Sequence, residues 1–231
     1  MEPFRSHREH THPLTLTGGF TLTELLVVLA IITVIMLVVL TSQSTFNKTI
    51  VLANTAYDIA LTIRSAETFG LSSRVLSIAT ANTGYGINFQ KTTPESFTLF
   101  ADSYPGIGQP GLCHPPPVND PTGPNAKPGN CSYDAVQGEK VTTYTLGNGI
   151  TVDDFCAYNG AWSCANSDSL ASLDIVFVRS TSEPFISVNG AYSLVTPATA
   201  ACLKVTSRQG GARFVYIGAS GIITANATSC P

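Results

Sequence analysis

Charge is the scarcest commodity in this chain of 231 residues. Only 12% of residues are charged, and the formal net charge is −3. Such a balance gives no broad attraction to nucleic acid or to acidic lipid. Histidine is nearly absent beyond the first dozen residues, where His114 stands alone. With that one histidine a Ser-His-Asp arrangement is strained. The chain carries no phosphate loop, no H-E-x-x-H and no G-x-S-x-G, so no enzyme class and no cofactor is indicated. Cysteine is missing from the first 112 positions, and C-x-x-C is missing throughout. Proline is missing between Pro13 and Pro94, so nothing forces a break in a helix there.

What is present falls into blocks. Residues 1–19 are polar. From Phe20 to Phe46 the only ionisable residue is Glu24. That run is about 27 residues, or roughly 40 Å of helix, where about 20 residues suffice to cross a bilayer core. From residue 46 onward the chain reads as a soluble domain, large enough for its own core. The expected domains are therefore a leader (1–19), a transmembrane and assembly helix (20–45) and a β-rich unit with an amphipathic helix (46–231).

A secretory signal or a plain membrane anchor explains an apolar run, but not its edge. A signal peptidase site follows the apolar region and wants small residues there. Here the small pair, Gly18-Gly19, precedes it, as if a polar leader were removed and the apolar helix kept. Glu24 also needs a reason, because a carboxylate near a bilayer core is costly. It lies in the first helical turn, where the helix dipole favours negative charge. It is within reach of the amine that cleavage before Phe20 would create, on its own chain or a neighbour's. The alternative is an acid that snorkels to the interface.

Gly19, Phe20, Thr21, Leu22, Thr23, Glu24 and Leu25, followed by an apolar helix, resemble the prepilin signature of the type IV pilin and type II secretion pseudopilin family. The resemblance implies cleavage by prepilin peptidase between Gly19 and Phe20 and N-methylation of Phe20. It implies that Glu24 neutralises a neighbour's N-terminus during assembly with other pilin or pseudopilin subunits. The chain would be a single-pass protein of the inner or cytoplasmic membrane with its domain outside the cytoplasm, then part of an extracellular or periplasmic filament. The leader departs from the pattern in length, and its Arg5 and Arg8 are balanced by Glu2 and Glu9.

Leu52, Ala56, Ile59, Ile63 and Ala66 repeat at helical spacing, so the helix is expected to run from about Thr21 to Phe69 with Gly70 as its stop. Beyond it the period becomes alternating. Strands are expected over 75–79, 85–89, 97–101, 141–146, 150–152, 175–179, 185–188, 202–206, 213–217 and 222–224. The expectation is α+β, a pilin-like long N-terminal helix packed on an antiparallel sheet. The stretches Tyr85–Phe89 with Phe97–Asp102, and Cys202–Thr206 through Ile223, resemble the minor pilins of the pseudopilin H and fimbrial T group. Between them, residues 104–130 hold eight of the fourteen prolines and read as a long exposed loop.

The six cysteines, Cys113, Cys131, Cys156, Cys164, Cys202 and Cys230, suggest disulfides and an oxidising compartment rather than a metal site. Sequential pairing, 113–131, 156–164 and 202–230, would close three local loops. Asp120, Asp153 and Asp154 lack the spacing of a calcium loop and read as solvated turn acids. Some minor pilins of the resembling group bind DNA. Lys204, Arg208 and Arg213 are the candidate phosphate contacts here, though Gly211-Ala212-Arg213 departs from that group's Gly-Arg-x-Arg pattern.

Overall fold

The structure, a computed structural model, describes residues 19–72, 83–104, 129–179, 181–227 and 229–230, with the backbone alone at 41–48 and 226. The chain divides into two units, Met1–Thr45 and Phe46–Pro231.

The long helix α1 spans Leu22–Ser72. In the first unit its side chains are exposed from Leu22 to Leu40, a window of 19 residues with mean hydropathy 2.9. Nineteen residues make about 29 Å of helix, close to the thickness of a bilayer's hydrocarbon core. The one hydroxyl between Leu25 and Leu40 is also satisfied. Thr33 Oγ1 donates to the carbonyls of Leu29 and Ala30 at 2.6 and 3.0 Å. The run therefore presents no polar side-chain group lacking a partner.

In the second unit α1 turns amphipathic. Leu52, Ala56, Ile59, Ala60, Ile63 and Ala66 are buried, while Tyr57 and Leu61 are exposed. The expected seam is thus the buried one. Gly70 is not the stop. The helix continues to Ser72, and Gly70 is buried against a strand: a Cβ built there would stand 2.2 Å from the carbonyl oxygen of Phe177. Its role is close approach, not termination.

Among the described residues ten strands follow, in two antiparallel sheets where a single sheet was expected. β1 (Gly84–Gln90), β2 (Ser96–Asp102), β3 (Lys140–Thr145), β6 (Ser172–Phe177) and β7 (Phe185–Val188) form one, in the order β3-β2-β1-β6-β7. β4 (Ile150–Tyr158), β5 (Trp162–Cys164), β8 (Ala200–Ser207), β9 (Ala212–Ile217) and β10 (Ile223–Ala227) form the other, in the order β10-β9-β8-β4-β5. The expected strand at 75–79 and most of the proline-rich loop lie outside the described residues.

Alternation assigns the faces. Ile87, Phe89, Leu99, Leu173, Ile175 and Ile186 of the first sheet share one core with Ile150, Phe155, Leu203, Val205 and Val215 of the second and with the buried stripe of α1. The outer face of the first sheet is also covered. Phe100, Val176 and Val178 pack there with Cys131 and Tyr133. On the second sheet, Cys164, Cys156 and Cys202 stand in register on neighbouring strands. Disulfides join Cys156 to Cys164 and Cys202 to Cys230, the sequential pairing. Cys131 is disulfide-bonded too, and its expected partner Cys113 lies outside the described residues.

Candidate functional site: the head of the apolar helix

Local sequence builds the start of α1. Thr21 precedes the first helical residue and Glu24 stands three positions on. Glu24 N donates to Thr21 Oγ1 at 3.3 Å, and Thr21 N donates back to Glu24 Oε2 at 3.1 Å. Thr21 Oγ1 also donates to Glu24 Oε2 at 3.0 Å. This is a capping box, which satisfies helix-end amides that would otherwise have no partner. The pattern T-x-x-E is legible in the sequence, and capping adds to the dipole and amine-pairing reasons for Glu24. Oxygen Oε2 takes both threonine bonds, leaving Oε1 without a partner among the described residues.

Gly19 and Phe20 sit immediately ahead of this cap. A Cβ added to Gly19 would meet nothing within 4 Å, and Phe20 is 85% exposed. Steric demands of the fold therefore explain neither the glycine nor the phenylalanine. Replacing Thr21 with alanine removes the cap and should cost about 1 kcal/mol locally. Amide exchange in the first turn, measured on the full chain in micelles, should accelerate about fivefold. Unchanged exchange would show that the box does not hold the helix end.

The candidate phosphate contacts do not converge. Lys204 Nζ pairs with Asp153 Oδ2 at 2.8 Å, and Arg208 Nη2 with Glu95 Oε1 at 3.2 Å. Arg213 stands opposite Val205, a core residue, and so on the other face of the sheet from Lys204. Arg213 Nη1 donates to the carbonyl of Ala212. Nor do the two aspartates occupy a turn. They lie in β4 at a register shift between Val152 and Asp154, where the bulge exposes Asp153 to Lys204. Asp154 Oδ1 accepts from the main-chain N–H groups of Phe155 and Asn166. Asp120 lies outside the described residues.

A second polar constellation escaped the sequence reading altogether. Asp102, Glu139 and Asp174 are buried at 0, 2 and 1% exposure on the outer side of the first sheet. Asp102 accepts from the main-chain N–H groups of Asn130 and Cys131, both at 2.9 Å. Glu139 accepts from those of Ser103, Tyr104 and Asp134, each at 2.8 Å. Asp174 accepts from Asn88 Nδ2 at 2.7 Å and from the N–H of Tyr133. The three acids thus fasten both ends of the proline-rich segment to the sheet. Burial pushes the Glu139 and Asp174 carboxyls up to about 7 and raises that of Asp102 well above its usual range, against the pull of these N–H bonds. The signal available was three isolated acids inside or beside β-periodic runs.

Comparison with family models, curated proteins and solved structures gives no match.

Proposed function

We propose that this chain is a structural subunit, a pilin or pseudopilin, of a type IV pilus or type II secretion-like filament, and not an enzyme. The observation that carries the reading is the head of α1. A glycine with no steric role and an exposed phenylalanine stand before a capped helix whose first 19 residues, Leu22–Leu40, are exposed and almost all apolar. Exposed apolar surface on this scale needs lipid or sister helices to cover it.

In this reading prepilin peptidase removes residues 1–19, and the new amine on Phe20 becomes methylated. The helix resides in the inner membrane with the β-rich unit outside the cytoplasm, then leaves lipid to pack among the helices of other subunits. Glu24 has one oxygen committed to its own cap and the other open to the amine of a neighbour. Ion pairing between them lowers the cost of carrying both charges into an apolar bundle. The disulfides support an oxidising destination.

Co-expression with a prepilin peptidase tests it. The mature chain should begin at Phe20 by N-terminal mass analysis, and Gly19→Ala should block processing. Unprocessed wild-type chain, or processing indifferent to the alanine, would overturn the reading.

A further inference from the structure

A cleft of about 260 Å³ opens between the sheets, where β4 and β5 meet β7. Its apolar wall comes from Ala157, Leu170, Ile186 and Val188, and its polar lining includes Asn159, Ser163, Asp168 and Asn189. No lysine or arginine lines it among the described residues. The cleft belongs entirely to the second unit, and the inference does not rest on the reading above.

Two of the polar residues that line the cleft, Asp168 and Asn189, are held by hydrogen bonds to the surrounding chain. Asp168 Oδ2 accepts from the main-chain N–H of Cys164 at 2.8 Å and from Ser167 Oγ at 2.6 Å. Those bonds hold its carboxyl below the usual range, so it is ionised at neutral pH. Its Oδ1 has no partner among the described residues. Asn189 takes a φ of +54° in the tight turn between Val188 and Ala191. Its Oδ1 accepts from the N–H of Ala171 at 2.7 Å, which directs its NH₂ group away as a donor. The side chains of Asn159 and Ser163 make no hydrogen bond among the described residues. Fixed acceptors and donors beside an apolar wall are what a specific small-molecule site requires.

We propose that this cleft binds one ring of a neutral saccharide. A pyranose presents an apolar C–H face to the aliphatic wall and a rim of hydroxyls to the polar side. One hydroxyl donates to Asp168 Oδ1, and a neighbour accepts from the Asn189 amide. Asn159 and Ser163 serve further hydroxyls. The volume suits a single ring. The lone carboxylate, with no cation to offset it, disfavours phosphate and nucleotide ligands.

The test uses the full chain in a detergent without a sugar headgroup. Methyl α-glucoside, methyl α-galactoside, methyl α-mannoside and N-acetylglucosamine are offered separately, and saturation-transfer NMR reads contact with the ring protons. At least one should bind, with a Kd of about 1 mM, as expected for a single small ring. Asn159→Ala and Asp168→Asn should each weaken it about tenfold, the scale of one lost hydrogen bond to a charged or well-placed partner. Asn159 is exposed with an unengaged side chain, so its loss leaves the fold intact, and unchanged melting temperature verifies this. Asn159→Trp, which fills the cleft, should abolish binding. Saturation transfer to none of the four sugars, transfer that survives the tryptophan, or tighter binding of inorganic phosphate would each overturn the proposal.

Discussion

Raising the pH from about 5 to about 8 should cost the β-rich unit about 3 kcal/mol of stability, the reverse of an ordinary salt-bridged acid. The cause is the buried trio Asp102, Glu139 and Asp174. Glu139 moves from the usual 4.5 to about 7, and Asp174 from 3.8 to about 7, chiefly because burial penalises the charged form. Their mutual repulsion adds to this, and Asp134 also faces both. Folded chains therefore hold protons in this window that unfolded chains have released. The stabilisation is complete below the unfolded values and is lost as pH rises through about 7. Moving one such carboxyl from 4.5 to about 7 corresponds to about 3 kcal/mol. The acids titrate together, so the trio is not the sum of its members.

Denaturant titrations of the full chain in micelles, followed through Trp162, the single tryptophan, read this directly. Asp174→Asn keeps an oxygen for the Asn88 amide but removes one titration, and should cut the slope by about half. Stability that is flat or rising across the window would show that the N–H bonds, not burial, set these groups.

Gly70→Ala should lower stability by about 3 kcal/mol and the melting temperature by roughly 6–12 °C. Alanine is the better helix former by about 1 kcal/mol, so an exposed site would gain from the change. Here the new carbon would meet the Phe177 carbonyl carbon at 2.8 Å as well as its oxygen at 2.2 Å. A strand backbone cannot rotate aside as a side chain can. The helix must withdraw from β6 and loosen the contacts of Ile63 and Ala66 below it. Gly147→Ala is the control, since a Cβ there meets nothing within 4 Å. A melting temperature within about 2 °C of wild type for Gly70→Ala would mean that the contact yields easily.

Sequence periodicity carried the helix and nine of the strands because both rest on local spacing. The buried seam from Leu52 to Ala66 came from the 3.6-residue period, and most strands from alternation. Pairing did not follow, because β1 lies beside β6 and β4 beside β8. Nothing in a strand's own residues names a partner 50 or more positions away, and so two sheets read as one. β4 read short because its bulge puts Asp153 and Asp154 in the middle of a strand, where two acids look like a turn. β5 is three residues long and leaves no period to detect. Gly70 looked like a helix stop because a glycine's steric reason sits on the element it touches.

The head of the helix was the most legible part, since Gly19, Phe20 and Glu24 lie within six consecutive residues. The cleft was the least legible. Its polar residues come from the β4–β5 connection, β5, a turn and a hairpin, and only the meeting of two sheets gathers them.

The fastening of the proline-rich segment has a consequence for how this protein can diversify. Six main-chain N–H groups, those of Ser103, Tyr104, Asn130, Cys131, Tyr133 and Asp134, make the attachment. Main-chain donors are the same whatever side chains lie between them. These hydrogen bonds are therefore indifferent to the side chains between the two ends, apart from the partner that the Cys131 disulfide requires. Lineages can rewrite, lengthen or trim the intervening stretch while the scaffold keeps its acids unchanged, so change between the two ends and constancy of their footing can coexist in one chain.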